Sequence, residues 1–349
     1  MSLFKKYLED SETLFKNETA LDPNFTPKKI QFRESENDYI ATCIKPLFQN
    51  RSGKNLIIYG LPGIGKTLSC LKIKEELEEE VDDIFVFYIN LWKKNTQYKI
   101  ILELCAQLDY KFIQNKSADE LFQIIKSKIN QKSAVFILDE IDKAESLEIL
   151  YSLMEDIYKK TLILITNDHS FIYKLDPRLK SRLLPDNLEF KPYSQTEVEN
   201  ILKNRIELAF HSGVFPKENL NLIATKTYNS SDIRKGLFLL RESGLIAESL
   251  SLKQISLDHI TKALSKLDDS TQPLELDTDE KKILKAITSN PDKTTQEIFS
   301  LYQKEGNKSE RTFQRKLKTL EKANLIKLES VAGQGRSYKI QLLNSKDTP

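Results

Sequence analysis

Apolar positions along this chain come first in short unbroken runs and later at helical spacing. "NLIIY" (55–59) is too short for a helix, is closed by Gly60, and reads as a buried strand. "DIFVFYIN" (83–90), "AVFILDEID" (134–142) and "TLILITND" (161–168) read the same way, with helical patterns over 66–80, 96–108 and 118–130. Strands alternating with helices predict a parallel sheet covered on both faces, an α/β architecture. From Ser194 the strands stop. Ser194 and Glu197 have the spacing of a capping box for a helix through "EVENILKNRIELAF", and further helices are expected to about residue 267. "LDDSTQPLELD" (267–277) reads as a linker. Beyond it, 279–289, 294–304 and 309–324 read as three helices, and "NLIKLESVAGQGRSYKIQLL" as two strands around the turn Ala332–Arg336. Three helices and a β-wing predict a winged-helix module. The expected divisions are 1–193 (with 1–20 an N-terminal extension), 194–270 and 277–349.

Composition adds two things. With 349 residues, 40% hydrophobic and 30% charged, the chain suits a soluble protein of two or three domains. No apolar run approaches the ~20 residues of a membrane span, and "MSLFKKYLEDSETLF" lacks the apolar core of a signal peptide. Cys43, Cys70 and Cys105 are widely spaced and odd in number, which fits neither a disulfide framework nor a zinc site. Buried free thiols and a reducing, cytoplasmic setting are expected. Net charge is only +2, yet residues 277–349 hold 15 Lys and Arg against 10 Asp and Glu, leaving 38 against 41 elsewhere. A basic C-terminal module on a slightly acidic body points to an anionic partner.

The chemistry begins after the first strand. "GLPGIGKT" matches G-x-x-x-x-G-K-[ST] in a strand–turn–helix context. Such a loop curls its backbone N–H groups inward at phosphate oxygens, and the helix start adds its positive dipole end. Gly60, Pro62, Gly63, Ile64, Gly65, Lys66, Thr67 and Leu68 are the expected nucleotide contacts. Lys66 is placed to reach the β- and γ-phosphates, and the Thr67 hydroxyl to ligate Mg²⁺. Asp139 and Glu140 end the third strand, where an acid holds Mg²⁺ and a following Glu polarises the attacking water. A solvated acidic loop is the plainer reading of that pair. Asn167, at the end of the fourth strand, has an amide suited to orienting water, or to an Asx turn. Arg182 and Arg234 are candidates to neutralise charge on a transferred phosphoryl group, against the ordinary reading of surface ion pairs. His169, His211 and His259 are scattered, without metal spacing.

With "LDPNFTPKKIQFRESE", "GLPGIGKT", "LDEID", "TND", "LDPRLKSRL", "YSQTEVENILKNRIELAF" and "SDIRKGLFLLRESG" in this order, the chain resembles AAA+ ATPases. Specifically, it resembles the archaeal origin-recognition and cell-division-control initiator family, from about residue 20 to the end. The resemblance implies a P-loop NTPase sheet with a helical lid and a C-terminal winged helix. It implies ATP or ADP with Mg²⁺ as cofactors. Lys66 and Thr67 would be Walker A, Asp139 and Glu140 Walker B, and Asn167 sensor 1. Arg182 would be an arginine finger acting on a neighbouring protomer's nucleotide, and Arg234 sensor 2. The segment containing Ile30, with Tyr193, would lie near the adenine. Trp92, Lys93 and Lys94 fall in or just before the family's initiator-specific insertion, and a core Trp with solvated lysines is an equal reading. Ser231 stands where the family often has Gly, and Lys235 where a small residue is usual.

The last helix is testable by geometry. Phe313, Leu317 and Leu320 share one face, while Arg311, Arg315, Lys318 and Lys322 form a stripe almost opposite. A helix with an apolar back and a basic front suits the DNA major groove. Arg311, Thr312, Arg315, Lys318, Lys322 and, on the wing, Arg336 are the expected DNA contacts. The leading expectation is an ATP-dependent replication initiator. It would bind duplex origin DNA, associate with itself or a paralogue, and recruit the replicative helicase ring, with slow hydrolysis as a switch. A nucleotide-gated DNA-binding regulator and a branch-migration type motor are the rival readings.

Overall fold

The computed structural model describes residues 13–271, 277–290, 294–304, 309–322, 325–330 and 338–342. The chain groups into two units, residues 1–265 and 266–349.

The first unit is built on a five-stranded, all-parallel sheet in the order β2-β3-β4-β1-β5. Its strands are β1 (Leu56–Tyr59), β2 (Ile84–Asn90), β3 (Ser133–Asp139), β4 (Lys160–Thr166) and β5 (Asp186–Glu189). β3 and β4 are buried along their whole length, as expected of central strands covered on both faces. The longer helices in this part are α1 (Glu34–Ile44), α2 (Lys66–Glu80), α3 (Gln97–Gln107), α4 (Ala118–Ile129), α5 (Glu148–Asp156) and α6 (Pro177–Leu183). Phe87, Phe136, Leu104, Leu121 and Leu153 belong to the core that joins the sheet to these helices.

The sequence pattern predicts neither β5 nor α1, α5 and α6. β5 is a short edge strand whose residues "DNLE" carry no apolar alternation; it pairs through backbone, Leu56 in register with Asp186. α1 buries only Ile40, Cys43 and Ile44, too few apolar positions for a clear period, and α5 and α6 are short, at nine and seven residues. The third strand ends at Asp139 rather than 142, because Glu140 turns into a left-handed conformation. Cys43, Cys70 and Cys105 are buried free thiols. No helix among the described residues is long and apolar enough to cross a membrane.

The helical part of this unit contains α7 (Gln195–Ala209), α8 (Leu220–Ser230), α9 (Ile233–Ser249) and the start of α10 (Leu257–Thr271). The Ser194–Glu197 capping box forms as expected. The N-terminal segment packs here. Lys16 N and Asn17 N donate to Ala209 O at 2.7 and 3.0 Å, and the Phe15 and Phe210 rings stack at 4.9 Å. Leu14 N donates to Glu248 Oε1 at 2.6 Å. Residues 267–271, expected as linker, continue α10 instead.

The second unit has α11 (Thr278–Thr288), α12 (Thr295–Lys304), α13 (Glu310–Lys322) and the antiparallel pair β6 (Ile326–Ser330) and β7 (Tyr338–Leu342). Asp277, also assigned to the linker, is the N-cap of α11 and forms a capping box with Glu280. Ile283, Ile287, Ile298, Phe313, Leu317 and Ile340 belong to its separate core. The turn Ala332–Arg336 lies outside the described residues.

Candidate functional site

The phosphate loop leaves β1 at Gly60, which has φ 148°; a Cβ there would sit 2.4 Å from Phe190 O. Gly63 has φ 74°, and its Cβ would fall 1.8 Å from Asp232 Oδ1. Both positions therefore need glycine for conformation and for space. Gly65 is the N-cap of α2, whose first residue is Lys66. Lys66 is buried, and its Nζ donates to Gly60 O (2.8 Å), Leu61 O (2.7 Å) and Asn167 Oδ1 (2.7 Å). Burial lowers its pKa to about 8, against the opposing pull of Glu140 and Asp139.

The Thr67 hydroxyl donates to Asp139 Oδ2 at 2.9 Å, and the Tyr88 hydroxyl donates to the same oxygen at 2.8 Å. Asp139 Oδ1 accepts the Glu140 backbone N–H. Burial, then the Asp139 charge and this hydrogen bond, push the Tyr88 phenol upward. Thr67 and Asp139 supply two adjacent hard oxygen donors. That set fits Mg²⁺, which keeps waters and phosphate oxygens as its remaining ligands. Glu140 holds φ 56°, a strained geometry for a non-glycine residue. Both its carboxylate oxygens accept from Asn167 Nδ2, at 3.1 and 3.0 Å. Asn167 thus joins Lys66 to Glu140, and the solvated-loop reading of the acidic pair does not hold.

These groups face a cleft of about 990 Å³ lined also by Ile30, Tyr193 and Arg234. Pro62, Gly63, Gly65 and Leu68 line it; Gly60 and Ile64 stand behind it, their carbonyls taken by Lys66 and Arg33. Arg234, in the first turn of α9, lines the cleft and forms a forked pair with Asp232, at 2.9 Å for each bond. Ser231, just before, has φ 49°, which glycine adopts at less cost. Arg182 lies outside the cleft on α6, half-exposed and paired with Glu155.

Four residues of this region were missed individually. Buried Arg33 donates to Ile64 O (3.1 Å) and Lys191 O (2.7 Å), pairs with Glu36 at 2.8 Å, and lies 3.9 Å above the Tyr193 ring. Buried Arg205 of α7 donates to Ala20 O (3.0 Å) and Phe25 O (3.3 Å). Two arginines thus pin the ends of the segment that carries Ile30. Asp232 and Tyr88 complete the set. Asp232 two residues before Arg234, and Glu36 three after Arg33, were the available local signals. Trp92 is 70% exposed, so it is not a core residue. Its ring faces Lys143 Nζ at 5.7 Å, Lys94 pairs with Glu103, and Lys93 lines the cleft.

In the second unit, Phe313, Leu317 and Leu320 are fully buried. Arg311, Arg315 and Lys318 are exposed, Thr312 is half-buried, and Ser309 caps the helix through Thr312 N. Lys316, on the same helix, is tied to Asp277 and Glu280. The side chain of Lys322 and all of Arg336 lie outside the described residues.

Comparison with known proteins places this geometry among relatives. A family model described as an AAA domain matches residues 49–169, and one described as a Cdc6 AAA+ ATPase-type lid domain matches residues 199–265. An ORC1-type DNA replication protein 1 of Sulfurisphaera tokodaii is 34% identical over 72% of this chain and 66% of its own length. Its counterpart in Archaeoglobus fulgidus is 31% identical over 87% of this chain and 80% of its own length. Among solved structures, the Aeropyrum pernix ORC1 protein in complex with DNA superposes with a TM-score of 0.73, covering 94% of this chain and 93% of that one, at 23% identity.

Proposed function

Because the chain belongs to the family of ORC1-type DNA replication proteins, we propose that it is an ATP-controlled initiator of replication. It binds duplex origin DNA through α13 and the ATPase body, and ATP sets the conformation that brings in the replicative helicase ring. The observation that carries this reading is the convergence of Lys66, Thr67 with Asp139, Glu140 with Asn167, and Arg234 on one cleft.

The reaction is attack of water on the γ-phosphate of ATP: a bond forms from the water oxygen to the γ-phosphorus as the bond to the β–γ bridging oxygen breaks, and ADP and phosphate leave. Lys66 and Arg234 hold the β- and γ-phosphate oxygens and neutralise charge as it develops. Glu140 takes the water's proton, and the Asn167 amide fixes the carboxylate's direction. Thr67 and Asp139 would hold Mg²⁺, which when bound screens the charge of the phosphates. Tyr193, with Arg33 stacked on its ring, packs beside the base with Ile30. Arg182 acts on the nucleotide of a neighbouring copy or paralogue; its position outside its own cleft supports that role, and slow turnover of the isolated chain follows. On the DNA side, the exposed Arg311 and Arg315 read bases, and Thr312, Lys318, Lys322 and Arg336 meet the backbone.

A Glu140→Gln chain should bind ATP within a few-fold of wild type and lose about 100-fold or more in turnover, the usual contribution of a general base. Undiminished turnover would remove Glu140 from that role.

A further inference from the structure

Asp232 does two things at the start of the lid helix α9. Its Oδ1 accepts the Arg234 backbone N–H at 3.0 Å and so caps the helix. The same carboxylate takes the Arg234 guanidinium in a fork, Nε to Oδ1 and Nη2 to Oδ2, both at 2.9 Å. This pair rests on the phosphate loop. Asp232 Oδ1 occupies the space beside Gly63 that a Cβ would need, and Ile233 N donates to Gly63 O at 3.2 Å. The Asp232 side chain is 16% exposed and that of Arg234 52%. An anion is therefore packed against the loop that is to receive anions, and it is held by the Arg234 cation that lines the same cleft.

We propose that Asp232 is a specificity-determining residue: an internal counter-anion that holds Arg234 until a nucleotide's terminal phosphate competes for it, and so sets the preference for ATP over ADP. The proposal deepens the nucleotide reading and rests on it. A carboxylate and a phosphate offer a guanidinium the same pair of oxyanions, and while Asp232 holds the Nε–Nη2 edge only Nη1 and the outer N–H of Nη2 remain for a phosphate. A diphosphate that stops short of Arg234 leaves the pair intact. A triphosphate that takes the Nε–Nη2 edge breaks the pair, one that takes the free edge shares the guanidinium with Asp232, and either lies near a carboxylate that repels it. Asp232 thus subtracts from ATP affinity and leaves ADP affinity nearly untouched.

The charge and the cap are separable. Asn is as good an N-cap as Asp and carries no charge. ATP and ADP dissociation constants are to be measured on the full chain for wild type, Asp232→Asn, Arg234→Gln and the double variant. Loss of a partly exposed charge pair should raise the ADP-to-ATP ratio of dissociation constants about fivefold in Asp232→Asn, through tighter ATP binding. In the Arg234→Gln background, where only direct repulsion is left to relieve, the same substitution should raise the ratio by a clearly smaller factor. A ratio that stays constant or falls in Asp232→Asn overturns the proposal, as does an equal rise without Arg234. If Asp232→Asn fails to fold, Asp232→Ser also caps without charge and gives the same comparison. Failure of wild type to bind either nucleotide would overturn the nucleotide reading itself, and this proposal with it.

Discussion

Raising the pH from 7 to 10 should stabilise the nucleotide-free protein at Lys66 while loosening its hold on ATP. Burial brings this ammonium from its ordinary 10.5 to about 8. At pH 7 the folded and unfolded chains both carry the proton. Between about pH 8 and 10.5 the unfolded chain keeps it and the folded chain has released it, so stability rises with pH in that window. A gap of ~2 to 3 units at ~1.4 kcal/mol each amounts to ~3 kcal/mol. Phosphate binding has the opposite sign, because it needs the charged form; above about pH 8 ATP affinity should fall by up to ~tenfold per unit. Other lysines and tyrosines titrate in the same range, so the quantity to follow is the difference between wild type and Lys66→Met. Urea melts at pH 7, 8, 9 and 10 give the stability difference, and titration calorimetry gives the affinity. A stability difference that does not change with pH would show that Lys66 keeps its proton in the folded chain up to pH 10. It would mean that the bonds to Gly60 O, Leu61 O and Asn167 Oδ1 keep Lys66 charged despite its burial.

Two other substitutions test the frame and the DNA face. Arg33→Met should cost ~3 kcal/mol or more in a urea melt, because it leaves Glu36 without its buried partner and the Ile64 and Lys191 carbonyls without a donor; a loss under ~1 kcal/mol would show that the segment around Ile30 is held by other contacts. Arg315→Ala should reduce preference for origin sequence over random duplex, while Lys322→Ala should weaken both about equally, read by competition binding at fixed salt; equal losses on both duplexes for both variants would reject that division.

What was legible beforehand was local. The phosphate loop advertises itself because a tight phosphate-binding turn needs glycines, a lysine and a helix start within eight residues. Asp139 and Glu140 stood out because acids interrupt an apolar strand. The amphipathic α13 was legible from spacing alone, and Phe313, Leu317 and Leu320 are buried as expected. What was not legible depends on distant partners. β5 exists because β1 offers a backbone edge, and its own side chains carry no strand signal. Arg33 is defined by Lys191 and Tyr193, and Arg205 by Ala20 and Phe25, each well over a hundred residues away. Tyr88 acquires a role only because β2 lies beside β3 in register, which brings its hydroxyl to Asp139. Residues 267–271 read as linker from their polar composition, yet the helical ladder of α10 carries through them.

Mapping where the protein sits on its own genome shows whether the nucleotide cleft and the basic helix serve replication initiation. Crosslinked chromatin should yield a few narrow peaks over repeated sites that coincide with the start points of nascent DNA strands. Occupancy confined to promoters, with none at those start points, would contradict the account and leave a nucleotide-gated regulator in its place.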